Sequence, residues 1–503
     1  MATAKRNCSV HTLHTNKSGI QRLIVSLILT LLLFARPSDS ANVLISPSWL
    51  NPVHRFIQRE LAAELLRRNH SVTWLEYGIS PHSIPLPKGV EEVFLRVQNA
   101  PKTAALRNQV GQVQLTSDDQ LWREDFWHPV EKAGGWLAGL ELCERVLEQP
   151  EHRKIFEKLL EKPFAVFQLR LTDELSFWER SYNLLAHLRE LYIHQHIVLR
   201  RLDKLFQKHF PGKVPDSFAL ERNASINFVN NPPIFDFARP YMPRVNFVGG
   251  LHCKNQTMTM NRNLLQFVNA SSDQKGFILI TGGFSIKWSK APSEVVENLV
   301  GAIREIPDIS FVWQYNGPAL KDPPKNLFTA EWLPQQKLLA HSKCRAHLSH
   351  GGVNSVVESV WHGVPIIGWP LTSNGRDNLL RITARQAGLM LDRKKPPKQH
   401  FISAFHRIYI KHYKEEMLIF QDMVIDVPYT ELNHSAFWVE FIIRHQEVPH
   451  ARSGADDLNI FQMLFRLIIH VIKLPFAAGQ RTNQEKSDER KKLTKDPAAK
   501  KRD

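Results

Sequence analysis

A group of residues between His350 and Glu358 has the types and the spacing to hold a phosphate. In HLSHGGVNSVVESVWHGVP, from His347 to Pro365, an apolar strand ends at Ser349, His350-Gly351-Gly352 follows, and a helical pattern opens at Asn354 and Ser355. Glycines at the end of a strand let a ligand approach the backbone, and the first turn of a helix offers unpaired N–H groups and the positive end of its dipole. His350 can donate to a phosphate oxygen, and Asn354 and Ser355 add short polar groups in the first turn. Glu358 lies one turn beyond Asn354 on the same helix face. A carboxylate repels phosphate, so its expected task is to accept hydrogen bonds from ribose hydroxyls further out. Val356, Val357, Val360 and Trp361 form the buried stripe of that helix. A tight glycine turn with no ligand uses the same residues, so this stretch alone leaves a nucleotide site and a plain turn both open.

A junction of this kind needs a parallel sheet behind it, and the chain supplies the grammar of one twice. A strand at Asn42–Ser46, an amphipathic helix at Arg55–Arg68 and a strand at Ser71–Tyr77 read as a βαβ unit. In the second half, a strand at Gly276–Ile280 ends in Gly282-Gly283, a helix runs from Pro292 to Ile306, and a strand returns at Ile309–Tyr315. The next unit has a strand to Ser349, a helix at Val353–His362 and a strand at Val364–Trp369. Between these halves, Val90–Phe210 reads as rich in helix, with Trp122, Phe126 and Trp136 as core or as the wall of an apolar pocket. The turn-rich passage Asn230–Gly250 marks the boundary. The expectation is an α/β protein of two doubly wound domains, residues 41–245 and 246–445, facing a cleft.

The chain has 503 residues and a formal charge of +16, much of it at the ends. With neither zinc-finger spacing nor a basic stripe interleaved with aromatics, no nucleic-acid partner is expected. Basic residues precede the apolar run Leu23–Phe34, and Ser38-Asp39-Ser40 offers small residues after it, so residues 1–40 read as a signal peptide. An uncleaved anchor is the alternative. Five Asn-x-Ser/Thr triplets follow, at Asn69, Asn223, Asn255, Asn269 and Asn433, which fits a lumenal glycoprotein. Cys143, Cys253 and Cys344 make no disulfide framework, although one bridge is open. Residues 446–480 include the apolar run Leu458–Ala478, interrupted by Arg466, His470 and Lys473, which reads as an interfacial helix or a poor span. The basic tail 481–503 ends in Lys500-Lys501-Arg502-Asp503, either a solvated tail or a retrieval address for the endoplasmic-reticulum membrane.

Trp332-Leu333-Pro334-Gln335 opens a segment that continues through His341, His350, Gly352, Asn354, Ser355, Glu358, Gly363, Pro365 and Pro370. This order resembles the donor-binding box of the UDP-glycosyltransferase family, whose enzymes have two Rossmann-like domains, the GT-B fold. RRNHSVTWL resembles the family's early strand, FVGGLHCK its inter-domain passage and FIIRHQEVPHARSGADDL its late lumenal stretch. The resemblance implies that Trp332 stacks on uracil, that Gln335 hydrogen-bonds it, that His350, Gly352, Asn354 and Ser355 hold the diphosphate, and that Glu358 takes the ribose. It implies a UDP-sugar as donor substrate, no tightly bound cofactor and no metal, and the chain has no Asp-x-Asp triplet. Aligning Asn69-His70-Ser71 with the family's strand puts His54 on its catalytic histidine. Near a helix start the dipole disfavours imidazolium, leaving a neutral base. His194 and His196 read as surface helix residues, not as metal ligands.

The pattern breaks in three places. The family's box ends in Asp-Gln, whose side chains contact sugar hydroxyls, and here Asn374 and Gly375 stand there, with Asp377 close enough to substitute. The glycine loop reads Gly282-Gly283-Phe284-Ser285 where a Phe-Gly-Ser-like order is usual, with Ser285 still in reach of a phosphate. KPFAVF (162–167) resembles the strand before the aspartate that orients the catalytic histidine, yet LTDELSFWERSYNLL (171–185) resembles a passage further on. The join at 168–170 therefore lacks that segment, through a skipped exon, a faulty gene model or divergence, and Asp173 is not its replacement. The resemblance implies transfer of a hexose or glucuronic acid to a small lipophilic acceptor, the detoxification chemistry of a lumenal, membrane-associated protein of the endoplasmic reticulum. Its alternative is a catalytically impaired UDP-binding partner that forms homo- or hetero-oligomers with active relatives.

Overall fold

Strand β1 (Asn42–Ile45), helix α1 (Pro52–Arg67) and strand β2 (Ser71–Gly78) form the expected βαβ unit. β1 pairs parallel with β2, Asn42 opposite Ser71 and Ile45 opposite Trp74. This computed structural model describes residues 40–47, 52–78, 81–97 apart from 83, 140–159, 192–253 with short breaks, and 260–446 apart from 393, with isolated positions at 189, 448, 451 and 462. Residues 1–39 of the expected signal peptide, Trp122, Phe126, Trp136, the join at 168–170, Asp173 and the basic tail lie outside the described residues, as does the apolar run 458–478 apart from 462. α1 stops in a left-handed residue, Asn69 at φ 67°, with Asn69 N–H bonded to Leu66 O and His70 N–H to Leu65 O. Asparagine tolerates that conformation at a helix end, and the two bonds satisfy carbonyls the helix leaves open.

The passage from Val90 onward departs from the helical expectation at its start. Glu91–Arg96 forms β3, parallel to β2, in a sheet of order β1-β2-β3. Val93 and Leu95 share one face at the strand period and pack with Leu75, Leu142 and Val146. Helices do follow, at Pro150–Leu159 and Arg200–His209.

β4 (Asn227–Val229) and β5 (Val245–Phe247) pair with each other across the expected boundary. Beyond them come β6 (Phe277–Thr281), α2 (Ser293–Glu305), β7 (Ser310–Gln314), β8 (Leu327–Ala330), α3 (Gln335–Leu339) and β9 (Cys344–Ser349). The chain continues with α4 (Val353–Trp361), β10 (Ile366–Gly368), α5 (Ser373–Ala384), β11 (Gly388–Met390), α6 (Lys398–Arg407), α7 (Lys411–Ile425) and α8 (Glu431–His445). The six strands are parallel in the order β11-β10-β9-β6-β7-β8. Every residue of β6 is buried, as a strand covered by helices on both faces requires. On one face Ile278, Ile280, Phe311 and Trp313 pack with α2 and α6 through Leu299, Ile303, Phe401 and Phe405. On the other, Phe277, Leu279 and Val312 meet Leu338 of α3, while Val356 and Val360 of α4 meet Met417 and Phe420 of α7. The chain leaves β6 toward β8 on one side and toward β11 on the other, so the sheet splits at β6 and β9. Doubly wound sheets bind ligands at that split, beyond the carboxyl ends of the strands.

The last helix crosses the expected division at 245/246. α8 lies on α1, with Ala436 in the same core as Ile45, Ala62, Leu65 and Trp74, and Arg68 binds Glu440 at 3.1 Å. Among the described residues no helix is long and apolar enough to cross a membrane.

Arg55 fixes the start of α1. It is 3% exposed, donates to Ile84 O at 2.9 Å and to Glu92 at 2.9 Å, and pairs with Glu76, which is fully buried. Removing one partner of a buried pair leaves the other charge uncompensated, at a cost of about 3–5 kcal/mol. Arg55→Ala should lower the unfolding free energy in urea by about that amount, and Arg55→Met with Glu76→Leu should recover much of it. An unchanged midpoint for Arg55→Ala would contradict this anchoring.

Candidate functional site

Two glycine loops face each other at the split between β6 and β9. Gly283 and Gly351 both take left-handed backbone, at φ 56° and 89°, where a side chain is strained. Gln314 of β7 holds the first loop by accepting from Gly283 N–H at 3.0 Å and donating to its carbonyl at 3.1 Å. The His350 ring fills the space the glycines leave. A Cβ on Gly352 would come within 2.7 Å of its Nε2, and one on Gly283 within 3.4 Å of its Cε1. His350 is 7% exposed, and burial pulls its pKa down to about 4 against a weaker opposing bond to the Thr281 backbone. The ring is therefore neutral at neutral pH, and its buried Nδ1 has no hydrogen-bond partner among the described residues. Ser285 is half-buried in the turn of the first loop, its N–H bonded to Gly282 O at 3.2 Å. Phe284 of that loop sits 4.6 Å from the Trp332 ring, and Trp332 is 51% exposed. Phe284 thus backs an indole that still presents surface to solvent, a support the sequence reading did not assign.

Beneath the loops runs a chain of buried polar groups. His347 of β9 contacts Ser359 Oγ at 2.7 Å through Nδ1 and Thr281 Oγ1 at 2.8 Å through Nε2. Thr281 donates to Gln335 Oε1 at 2.7 Å, and Gln335 Nε2 donates to Glu358 at 2.7 Å and to Ser355 Oγ at 3.1 Å. The other Glu358 oxygen lies 3.1 Å from His252 Nε2. Thr281 has one proton and gives it to Gln335, so His347 Nε2 must carry the proton facing Thr281. His347 Nδ1 is then an acceptor facing Ser359 Oγ, whose single proton is shared between that nitrogen and Ser355 O, to which it donates at 2.8 Å. From His347 the protons run through Thr281 and Gln335 toward Glu358. Burial first, and His350 second, push the His347 pKa down to about 3.

These contacts bring Gln335, Ser355 and Glu358 together, but with their polar groups turned on one another. Burial on α4 also extends past the expected valine stripe to Ser355, Glu358 and Ser359, while Trp361 is half-buried. The passage 230–252 reaches the same helices at three points. Asn230 donates to Asn354 at 2.8 Å, Asp236 pairs with Arg381 of α5 at 3.0 Å, and His252 meets Glu358. The sequence reading quoted this passage for its turns and missed these side chains.

At the far end of the crevice Thr372 caps α5, its Oγ1 accepting from Gly375 N–H at 3.0 Å. Asn374 is exposed and Asp377 half-buried. Gly375 has no room for a side chain. A Cβ there would lie 2.3 Å from His350 O, and one on Gly351 would lie 2.3 Å from Gly375 O. Both residues are bare because their backbones touch.

His54 stands in the first turn of α1 with its side chain open to solvent, while the protein crowded around it lowers its pKa through burial. No carboxylate hydrogen-bonds to it among the described residues. Two residues on, Phe56 meets the His252 ring edge-on at 6.0 Å, and Ile57 packs on Val248 and Leu251. His194 is buried rather than on the surface, whereas His196 is exposed. The described cysteines, Cys143, Cys253 and Cys344, are unpaired, and among the described residues no group of three or more His, Cys, Asp or Glu side chains is arranged to hold a metal.

A sequence model described as UDP-glucoronosyl and UDP-glucosyl transferase matches residues 142–474. UDP-glucuronosyltransferase 2C1 of Oryctolagus cuniculus is 32% identical over 295 residues, 58% of this chain and 57% of that protein. 2-Hydroxyacylsphingosine 1-beta-galactosyltransferase of Homo sapiens is 28% identical over 309 residues, 61% of this chain and 56% of its own length. The chain thus spans little more than half the length of these curated relatives. Among solved structures, the calicheamicin glycosyltransferase CalG4 superposes with a TM-score of 0.51 at 15% identity, over 80% of this chain and 98% of that one. A UDP-glucosyltransferase from Polygonum tinctorium capable of glucosylating indoxyl gives 0.50 at 17% identity, over 81% and 99%. At such identities the likeness is one of architecture, and the architecture is GT-B.

The two buried histidines make stability depend on pH. Their folded pKa values lie below the unfolded value of about 6.5, so between that pH and about 4 the unfolded chain binds protons the folded chain refuses. Their stabilisation is complete above the unfolded value and falls as pH drops, by about 1.4 kcal/mol per pH unit for each ring. Urea unfolding at about pH 7 and about pH 5 should show this loss, and His347→Gln should shrink it by about one proton's share. An equal loss in the variant would contradict a neutral buried His347.

Proposed function

The chain belongs to the UDP-glucoronosyl and UDP-glucosyl transferase family, and from that premise we propose that it binds a UDP-sugar at the β6–β9 split and transfers the sugar to a hydroxyl of a small lipophilic acceptor. The observation that carries this reading is the meeting of two bare glycine loops and the N-terminus of α4 around a neutral His350 with an unpaired nitrogen. Trp332, backed by Phe284, takes the uracil face. Gln335 holds Glu358 in line, and Glu358 accepts from the ribose with the lone pairs His252 and Gln335 leave free. His350, Asn354, Ser355 and the backbone at Gly352 take the diphosphate, with Ser285 reaching it from the opposite loop. Asn374 and Asp377 border the sugar.

In the transfer, His54 removes the proton of the acceptor hydroxyl as the oxygen attacks the anomeric carbon. The bond from that carbon to the diphosphate oxygen breaks, and UDP departs with the electron pair. Its charge is met by the helix terminus and neutral donors, so the step calls for no metal and no bound cofactor. With no carboxylate bonded to it among the described residues, His54 is expected to work slowly: spoiling that partner in a related triad costs about four orders of magnitude. We place the protein in the lumen of the endoplasmic reticulum, on the membrane, alone or paired with relatives, from its leader and its acceptor asparagines. The exchange of the family's Asp-Gln for Asn374-Gly375 favours a second reading, a UDP-binding partner with little transfer of its own.

Titration calorimetry with UDP should show binding that weakens at least about tenfold on His350→Ala, the order a lost charge-assisted hydrogen bond supplies. Transfer to a phenol from UDP-sugars separates the two readings. No binding at millimolar UDP would overturn both.

A further inference from the structure

We infer that His252, on the passage that joins the two sheets, is a positioning residue that holds Glu358 for the ribose and ties that contact to helix α1. The inference rests on the reading of the crevice as a UDP site and gives His252 a task in nucleotide affinity that the reading does not assign. Glu358 is 4% exposed. A carboxylate so short of water requires donors, and it has one on each oxygen, His252 at 3.1 Å and Gln335 at 2.7 Å. Two donors from opposite sides fix the plane of the carboxylate. Each oxygen keeps a second lone pair, and those lone pairs point where the two fixed donors leave them. With Gln335 alone the group could turn about its last bond, and vicinal hydroxyls would meet it in the wrong orientation.

The surroundings of His252 are built to deliver it. Gly250 is left-handed at φ 97°, with Trp361 of α4 only 3.5 Å from where a Cβ would stand. A Cβ on Gly249 would overlap the Asn231 backbone at 2.1 Å. The glycine pair therefore lets the chain turn tightly beneath α4. Gln336 of α3 donates to His252 O at 3.2 Å, which fixes the backbone, and the ring is 1% exposed. Its outer edge meets Phe56 at 6.0 Å, two residues from His54. A shift of α1 is thus felt at the carboxylate through one ring.

The test measures affinity of the full chain for UDP and for 2′,3′-dideoxy-UDP, which lacks the ribose hydroxyls. His252→Ala should weaken UDP about tenfold, as expected for losing a bond to a charged group, and leave the dideoxy nucleotide within about twofold. His252→Gln, which can still donate, should keep most of the UDP affinity. His252→Phe, which keeps the packing on Phe56 and donates nothing, should behave like alanine and serves if the alanine variant fails to fold. In a Glu358→Gln background, His252→Ala should add no further loss. Equal weakening of both nucleotides, or unchanged UDP affinity in both His252→Ala and His252→Phe, overturns the inference and leaves the UDP site standing. Failure of the parent chain to bind UDP overturns the site itself, and the inference with it.

Discussion

A carboxylate buried at the heart of a helix must be supplied with donors from the protein, and the need to supply Glu358 organises the whole crevice. Gln335 comes from the first position of α3, His252 from the passage between the sheets, Thr281 from the end of β6 and His347 from the interior of β9, the two strands where the sheet splits. A half-satisfied buried network costs more than an apolar core, so each member depends on the next being present. That dependence makes the chemistry of the crevice a property of four separate segments. It also explains why residues with no access to a ligand are polar here.

The second constraint is closeness. Gly351 and Gly375 touch backbone to backbone, and Gly249 presses on Asn231. Such contacts draw α4, α5 and the passage 230–252 into one unit, with Asp236–Arg381 and Asn230–Asn354 as its side-chain ties. The family's glutamine at the position of Gly375 has no room while His350 O stays where it is. The change at the sugar end is thus a change of packing as much as a loss of a polar group, and restoring the side chain alone would push the two loops apart.

Much of this was legible in the sequence, for reasons that can be named. Short apolar runs bounded by turn residues, and period-3.6 patterns between them, placed β1, α1, β2, β6, α2, β7, α4 and β10 within a few residues, because the central strands are buried on both faces and each helix buries one. The glycines of 282–283 and 351–352 marked the split loops, since only a ligand or a tight contact calls for bare backbone there. β3 was absorbed into a helical expectation because six residues carry too few turns of either period to decide. The return of α8 to α1 was invisible, since it depends on a long-range fit between Ala436 and the core around Trp74. The donor network escaped for a related cause. His252, Thr281 and His347 look ordinary one by one, and what joins them is spatial: strand ends brought side by side by a parallel sheet.

The central claim is that the passage 230–252 and the helices α4 and α5 bind nucleotide as one body. Hydrogen–deuterium exchange of the full chain with and without UDP tests it directly. The account predicts that UDP slows exchange in the first turn of α4 and, together with it, at the amides of 227–252 and the first turn of α5. Protection confined to 350–358, with the passage exchanging as it does in the free chain, would contradict it.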